Sequence, residues 1–226
     1  TITQTVVTDE QGNYIFAGLK AGIYSIAQQQ PNAWMDGKDH IGSLSGELSN
    51  DLIESIELNV GENGLEYNFG ERGSSIQGLV FNDLNDNGLS EANEAGIPNV
   101  EMQLTGADAD GNNVNRVTYT LVDGQFVFQH LPLPSAAGYQ IIEIQPDTVD
   151  DGKDSLGNLG GNLSNDQVNE IIFTEHLTHG IDYNFGELLK APARISGTVW
   201  LDDNHNRLKD DGIGLEGWTV ELIDSR

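Results

Sequence analysis

The sequence predicts an all-β protein made of tandem small sandwiches, and three observations carry that prediction. The chain repeats itself, its apolar residues alternate with polar ones over short runs, and Gly, Asn, Asp and Pro punctuate those runs at close intervals. The repeat is direct: "GNYIFAGL" at 12–19 returns as "GQFVFQHL" at 124–131, and "DGKDHIG" at 36–42 returns as "DGKDSLG" at 151–157. "LSND" recurs at 48–51 and 163–166, and "YNFGE" at 67–71 and 183–187. Each "YNFGE" precedes a fresh start, "SIQGLVFNDLNDNGL" at 75–89 and "RISGTVWLDDNHNRL" at 194–208, so Ile76 to Ile195 spans a period of 119 residues. Residues 1–72 are therefore read as the later part of a first repeat, 73–188 as a complete second repeat and 189–226 as the beginning of a third.

Within the second repeat the strands follow in order. "IQGLVF" at 76–81 opens it, and Val100, Met102 and Leu104 alternate in the next run. Val117, Tyr119 and Leu121 do the same, followed by "QFVF" at 125–128, "YQIIEIQ" at 139–145, "EIIF" at 170–173 and the alternating Ile181, Tyr183 and Phe185. Period-2 alternation marks half-buried strands, and no stretch keeps a helical period over three turns. Seven short strands in a unit of this length predict a seven-stranded sandwich with Greek-key connections. The linkers "RGSS" at 72–75 and "LLKAPAR" at 188–194 are short, which predicts limited swing between neighbours and a semi-rigid rod.

Charge narrows the function. Ten Lys and Arg stand against 36 Asp and Glu, a net charge of −26, so nucleic acid and anionic membranes would be repelled and cations attracted. Without cysteine there is neither a disulfide framework nor a thiolate zinc site. No apolar run has the length of a membrane-spanning helix. The first residues lack the pattern of a signal peptide and fall inside a repeat, so the chain is expected to be a fragment, uninformative about targeting.

The stretch "DLNDNGLSEANE" at 83–94 places oxygen donors at positions 1, 3, 5, 7, 9 and 12 of a twelve-residue loop: Asp83, Asn85, Asn87, the carbonyl of Leu89, Glu91 and Glu94. That is the pattern a Ca²⁺ ion requires, with Gly88 at the sharp turn and Glu94 able to chelate through both oxygens; Mg²⁺ prefers a tighter octahedron. The competing account is an Asn- and Asp-rich turn whose side chains cap their own backbone. In the third repeat Asp202, Asn204, Asn206, Leu208 and Asp210 keep the early positions. Arg207 replaces the glycine and Ile213 takes position 12, so weaker or rearranged binding is expected unless Asp211 or Glu216 supplies the missing oxygen.

A second carboxylate set recurs: Asp36, Asp39 and Asp51 in the first repeat, Asp151, Asp154 and Asp166 in the second. It reads either as surface Asp-Gly turns with a local Lys–Asp pair or as a second, lower-affinity Ca²⁺ site. "DADGN" at 108–112 reads as a hairpin turn.

"IQGLVFNDLNDNGLSEANEAGIPNVEMQL" at 76–104, with "DGQFVFQHLP" at 123–132 and the "YNFGE" ending, resembles the SdrD-like B-type repeat of bacterial serine-aspartate repeat surface adhesins. These repeats are related to collagen-adhesin B-type domains. The resemblance covers nearly the whole chain and implies Ig-like or transthyretin-like sandwiches that act as Ca²⁺-stabilised extracellular stalk domains of a cell-surface or biofilm protein. Some collagen-adhesin B-type relatives carry an internal Lys–Asn isopeptide bond. The first strand here offers no lysine, and Lys153, the only lysine of the second repeat, lies in a polar loop, so that bond is not expected.

Catalytic patterns are lacking. The histidines at 40, 130, 176, 179 and 205 form no HExxH, and there is neither a Gly-x-Ser-x-Gly elbow nor a phosphate loop. The expectation is a non-enzymatic, Ca²⁺-stabilised stalk segment of an extracellular adhesin or matrix fibre, whose partners are calcium, neighbouring repeats and host or matrix ligands. Two alternatives stand beside it: a module binding sugar or protein through its loops and Trp34, and a self-assembling sheath component.

Overall fold

The computed structural model describes residues 4–190, 194–209 and 212–223. It divides into two compact units, Thr1–Leu189 and Lys190–Arg226, so the first two repeats share one unit and the division falls where the third begins. The described residues contain strands and turns and no helix.

The first repeat contributes β1 (Gly22–Ala27), β2 (Met35–Asp36), β3 (Glu47–Ser49), β4 (Leu52–Leu58) and β5 (Glu71–Arg72). The second contributes β6 (Ser74–Asn82), β7 (Glu101–Asp108), β8 (Asn113–Tyr119), β9 (Gln125–Leu131), β10 (Pro134–Ile144), β11 (Val149–Asp151), β12 (Asn162–Ser164), β13 (Gln167–Ile171) and β14 (His179–Leu189). The second repeat is a sandwich of a five-stranded sheet, β12-β13-β10-β7-β8, and a four-stranded sheet, β11-β14-β6-β9. The expected seven strands are therefore nine. The two additions, β11 and β12, are three residues each, too short and polar to show an alternation.

The core follows from the inward phase of each strand. Ile76 and Val80 of β6, Met102 and Leu104 of β7, Phe126 and Phe128 of β9, Tyr139 and Ile141 of β10, and Tyr183 and Phe185 of β14 are all buried in one cluster. Each such side chain contributes roughly 1.5–3 kcal/mol on leaving water. Phe126 packs on Phe185 with ring centroids 6.1 Å apart, joining β9 to β14 across β6. The central pairing, β6 with β14, is parallel, with Gly78 opposite Tyr183. A Cβ at Gly78 would lie 1.6 Å from the Tyr183 carbonyl oxygen, so only glycine permits this approach.

One reading is corrected. Val117, Tyr119 and Leu121 were expected to be half-buried, yet they are 60%, 55% and 61% exposed, and the buried residue of β8 is Val114. β8 is the edge of the five-stranded sheet, and Val117 and Tyr119 on it point away from the sandwich, while Leu121 lies in the turn that follows. The strand expected at 170–173 lies at Gln167–Ile171, where Ile142 pairs with Gln167 and a bulge sets the step from Val168 to Ile171 opposite that from Ile141 to Tyr139.

The first repeat reproduces the same end of the sandwich. Ala27 pairs with Leu52 as Ile142 pairs with Gln167, and Leu48 with Ile53 as Leu163 with Val168. Asp36 faces Glu71 across β2–β5 as Asp151 faces Glu187 across β11–β14. The two repeats meet at the β7–β8 turn, the "DADGN" hairpin. Asp110 accepts from Asn32 Nδ2 and from the Ala33 N–H, both at 3.0 Å, while the Leu133 N–H donates to the Ala33 carbonyl at 2.7 Å. Ala33 is buried there.

Candidate metal centre

The twelve-residue loop leaves the end of β6 and is organised from inside by Asp83, which is fully buried. Asp83 Oδ1 accepts from the Asn87 N–H at 3.2 Å and Oδ2 from the Gly88 N–H at 2.6 Å. Asn87 Oδ1 accepts from the Leu89 N–H at 2.7 Å. Glu94 closes the ring by accepting from the Leu84 N–H at 2.8 Å and the Glu91 N–H at 3.0 Å, and both asparagine amides donate to Glu91. Lys153 donates to the Asp86 carbonyl at 2.6 Å and lies 3.7 Å from its carboxylate. The loop thus uses its polar side chains to cap its own backbone. The same bonds gather the oxygen set of Asp83, Asn85, Asn87, Glu91 and Glu94 into one turn. Each carboxylate oxygen has a further lone pair for a hard cation.

The third repeat folds its loop in the same way. Asp202 Oδ1 accepts from the Asn206 N–H at 3.1 Å, Oδ2 from the Arg207 N–H at 3.2 Å, and Asn206 Oδ1 from the Leu208 N–H at 2.7 Å. The Asn206 N–H also reaches Asn204 Oδ1 at 3.0 Å. Arg207 adopts φ +65° where Gly88 has φ +76°, so the turn survives loss of the glycine at the cost of a left-handed non-glycine residue. Asp210 and Asp211 lie outside the described residues.

The second set converges more tightly. Among the described residues three carboxylate groups each bring oxygens within 4.8 Å of one another: Asp36, Asp39 and Asp51; Asp151, Asp154 and Asp166; and Glu143, Asp166 and Glu187. Asp83, Glu91 and Glu94 do not form such a group. Two unit charges at that separation repel by about 3.5 kcal/mol at an effective dielectric of about 20. The positions are fixed by the fold. Asp154 Oδ2 accepts from the Asp166 N–H at 3.1 Å and Oδ1 from the Gly186 N–H at 3.3 Å. Asp39 does the same with the Asp51 N–H at 3.0 Å and the Gly70 N–H at 3.2 Å. Glycine sets the distance between loop and strand: a Cβ at Gly152 would meet the Gly186 carbonyl oxygen at 2.5 Å.

Electrostatics mark the crowding. Burial, then the charges of Asp166 and Asp151, pushes the Asp154 carboxyl up to about 7 against the hydrogen bonds that favour its ionised form. Burial and then Asp151 raise Asp166, and burial, Asp36, Asp39 and Glu71 raise Asp51. Burial is the main cause of the upward shifts at both Glu143 and Glu187, which oppose each other across the sandwich. Unpartnered oxygens remain on Asp36, Asp51, Asp166, Glu143 and Glu187. Clustered oxygens short of donors and held at fixed backbone positions fit a hard divalent cation.

Sequence reasoning passed over Glu143 and Glu187. The signal was present: Tyr139, Ile141 and Glu143 share the inward phase of β10, so an acid sat in a core position. Glu187 closes the recurring "YNFGE" in the same phase as Tyr183 and Phe185.

Comparison with known proteins agrees with this architecture. Residues 74–182 match the model of the SdrD B-like domain. That match falls within the second repeat and takes in a little under half of the chain. Serine-aspartate repeat-containing protein F of Staphylococcus epidermidis is 27% identical over 98% of the chain. Bone sialoprotein-binding protein of Staphylococcus aureus (strain MRSA252) is 29% identical over 97%, and Colossin-A of Dictyostelium discoideum is 29% identical over 98%. The chain spans 12%, 19% and 2% of their respective lengths. The SdrD B-like domain is a structural module, not an enzyme.

Proposed function

We propose that this chain is a calcium-stabilised stalk segment of an extracellular adhesin, in which each SdrD B-like repeat is held stiff by divalent cations at its acidic end. The carrying observation is the convergence of Asp151, Asp154 and Asp166, repeated as Asp36, Asp39 and Asp51 on the same strand pairing. Residues 75–187 contain 18 Asp and Glu against 2 Lys and Arg, so cation-free repeats carry uncompensated repulsion where loop meets strand. A cation bound only by the folded form stabilises it by RT ln(1 + [L]/Kd), about 2.7 kcal/mol at a hundredfold excess over Kd. The relatives include serine-aspartate repeat proteins and a protein named for binding bone sialoprotein, which supports surface display and adhesion to a host or matrix ligand by the parent molecule. The contact of Asp110 with Asn32 and Ala33 supports a spacer whose repeats are fastened to one another. Thermal melting with calcium and with chelator tests the reading: calcium raises the transition, and an identical transition in both would remove calcium from the account.

A further inference from the structure

We propose that the second repeat holds an additional, buried divalent-cation site between its two sheets, formed by Glu143, Glu187 and Asp166, which the first repeat replaces with an amide. The inference rests on the calcium reading above and extends it to a site absent from the sequence motifs.

Glu143 projects from β10 and Glu187 from β14, strands of opposite sheets, and they are 2% and 0% exposed. No N–H or hydroxyl donor among the described residues reaches either oxygen of Glu143, Oε1 of Glu187 or Oδ1 of Asp166; what these oxygens meet is one another, Glu143 against Glu187 and Asp166 against Asp151. The other Glu187 oxygen accepts from Gln145 Nε2 at 2.9 Å. Two buried carboxyls facing one another, with a third from Asp166 at their edge, are compensated either by a proton held between them or by a cation, and the third acid favours the cation.

The first repeat shows how the fold removes that need. The Gln28 N–H donates to the Asp51 carbonyl at 2.9 Å as the Glu143 N–H donates to Asp166 at 2.8 Å, so Gln28 occupies the position of Glu143. Its amide donates to Glu71, the counterpart of Glu187, and Gln30 donates to the other Glu71 oxygen at 2.8 Å, as Gln145 does to Glu187. Glu71 is thus satisfied by two amides. Glu187 has one amide and a second acid. A hard divalent cation ligated by Glu143, Glu187 Oε1 and Asp166 Oδ1 supplies what the Gln28 amide supplies in the first repeat. Through Asp166 it would adjoin the cation of Asp151 and Asp154, and its burial makes it the slower of the two to exchange.

The test counts calcium ions bound per chain by equilibrium dialysis, with circular dichroism to verify folding. Glu143→Gln copies the first repeat and is expected to bind one ion fewer than the unsubstituted chain while remaining folded. Gln28→Glu, the reverse exchange, is expected to bind one more, and decides the matter if Glu143→Gln does not fold. Asp151→Asn separates this inference from the broader one. If Asp151→Asn lowers the count while Glu143→Gln and Gln28→Glu leave it unchanged, the buried pair shares a proton and the additional site is overturned, with the loop site intact. If the unsubstituted chain binds no calcium, both readings fall.

Discussion

Replacing Asp166 by Asn should act in opposite directions with and without calcium. Asp166 contributes to both acidic groups of the second repeat and has φ +55°, a conformation asparagine tolerates, so the substitution changes charge with little change of backbone. In the cation-free protein an ionised neighbour 4.8 Å away repels Asp166 by about 3.5 kcal/mol at an effective dielectric of about 20, part of which protonation of the neighbours already relieves. A net relief of about 1–2 kcal/mol is expected, which at about 4 °C per kcal/mol for a domain of this size raises the melting temperature by about 4–8 °C. In calcium the same change removes a ligand shared by the two sites and reduces the cation-dependent gain by a similar or larger amount. Differential scanning calorimetry in chelator and in millimolar calcium reads both limbs. A variant that melts lower than the parent by the same amount in both buffers would refute the reasoning, because Asp166 would then be acting as a structural hydrogen-bonding residue.

Three further outcomes follow from the same geometry. Asp154, with its folded pKa raised to about 7, holds its proton to higher pH than in the unfolded chain; this contribution is complete below about pH 4 and is lost as pH rises through about 7, so cation-free protein should melt progressively lower across that window while calcium-loaded protein should not. Gly152→Ala forces a Cβ toward the Gly186 carbonyl and should cost about 1–3 kcal/mol in urea unfolding, with a reduced calcium gain, whereas a variant as stable as the parent would show that the loop can retreat from β14. Asp110→Ala removes two hydrogen bonds between the repeats and should speed amide exchange at Ala33 at least tenfold, leaving the β10 core amides protected.

The sequence carried the architecture because the repeat and the alternation both report burial directly. Ile76, Met102, Phe126, Tyr139 and Phe185 are where the period-2 phase places them. It misled at Val117, Tyr119 and Leu121, since alternation tells which residues share a face but not whether that face meets another sheet, and β8 sits at an edge. The acidic end was half legible. Asp151, Asp154 and Asp166 recur as a spaced motif, and the fold brings them together with Asp36, Asp39 and Asp51 in the same relation. Glu143 and Glu187 were not read, because they lie on strands far apart in the sequence and only the cross-sheet packing shows that they face each other. Asp83 was read as a ligand, and the fold adds a second duty, that of fastening the Asn87 and Gly88 amides.

Crystals grown in calcium, measured at a wavelength where calcium scatters anomalously, give the most direct test of the central claim. The account predicts anomalous peaks bounded by Asp151, Asp154 and Asp166 and by Asp36, Asp39 and Asp51, with coordination distances of about 2.3–2.6 Å. Well-ordered carboxylates at those positions with no anomalous peak between them would contradict it.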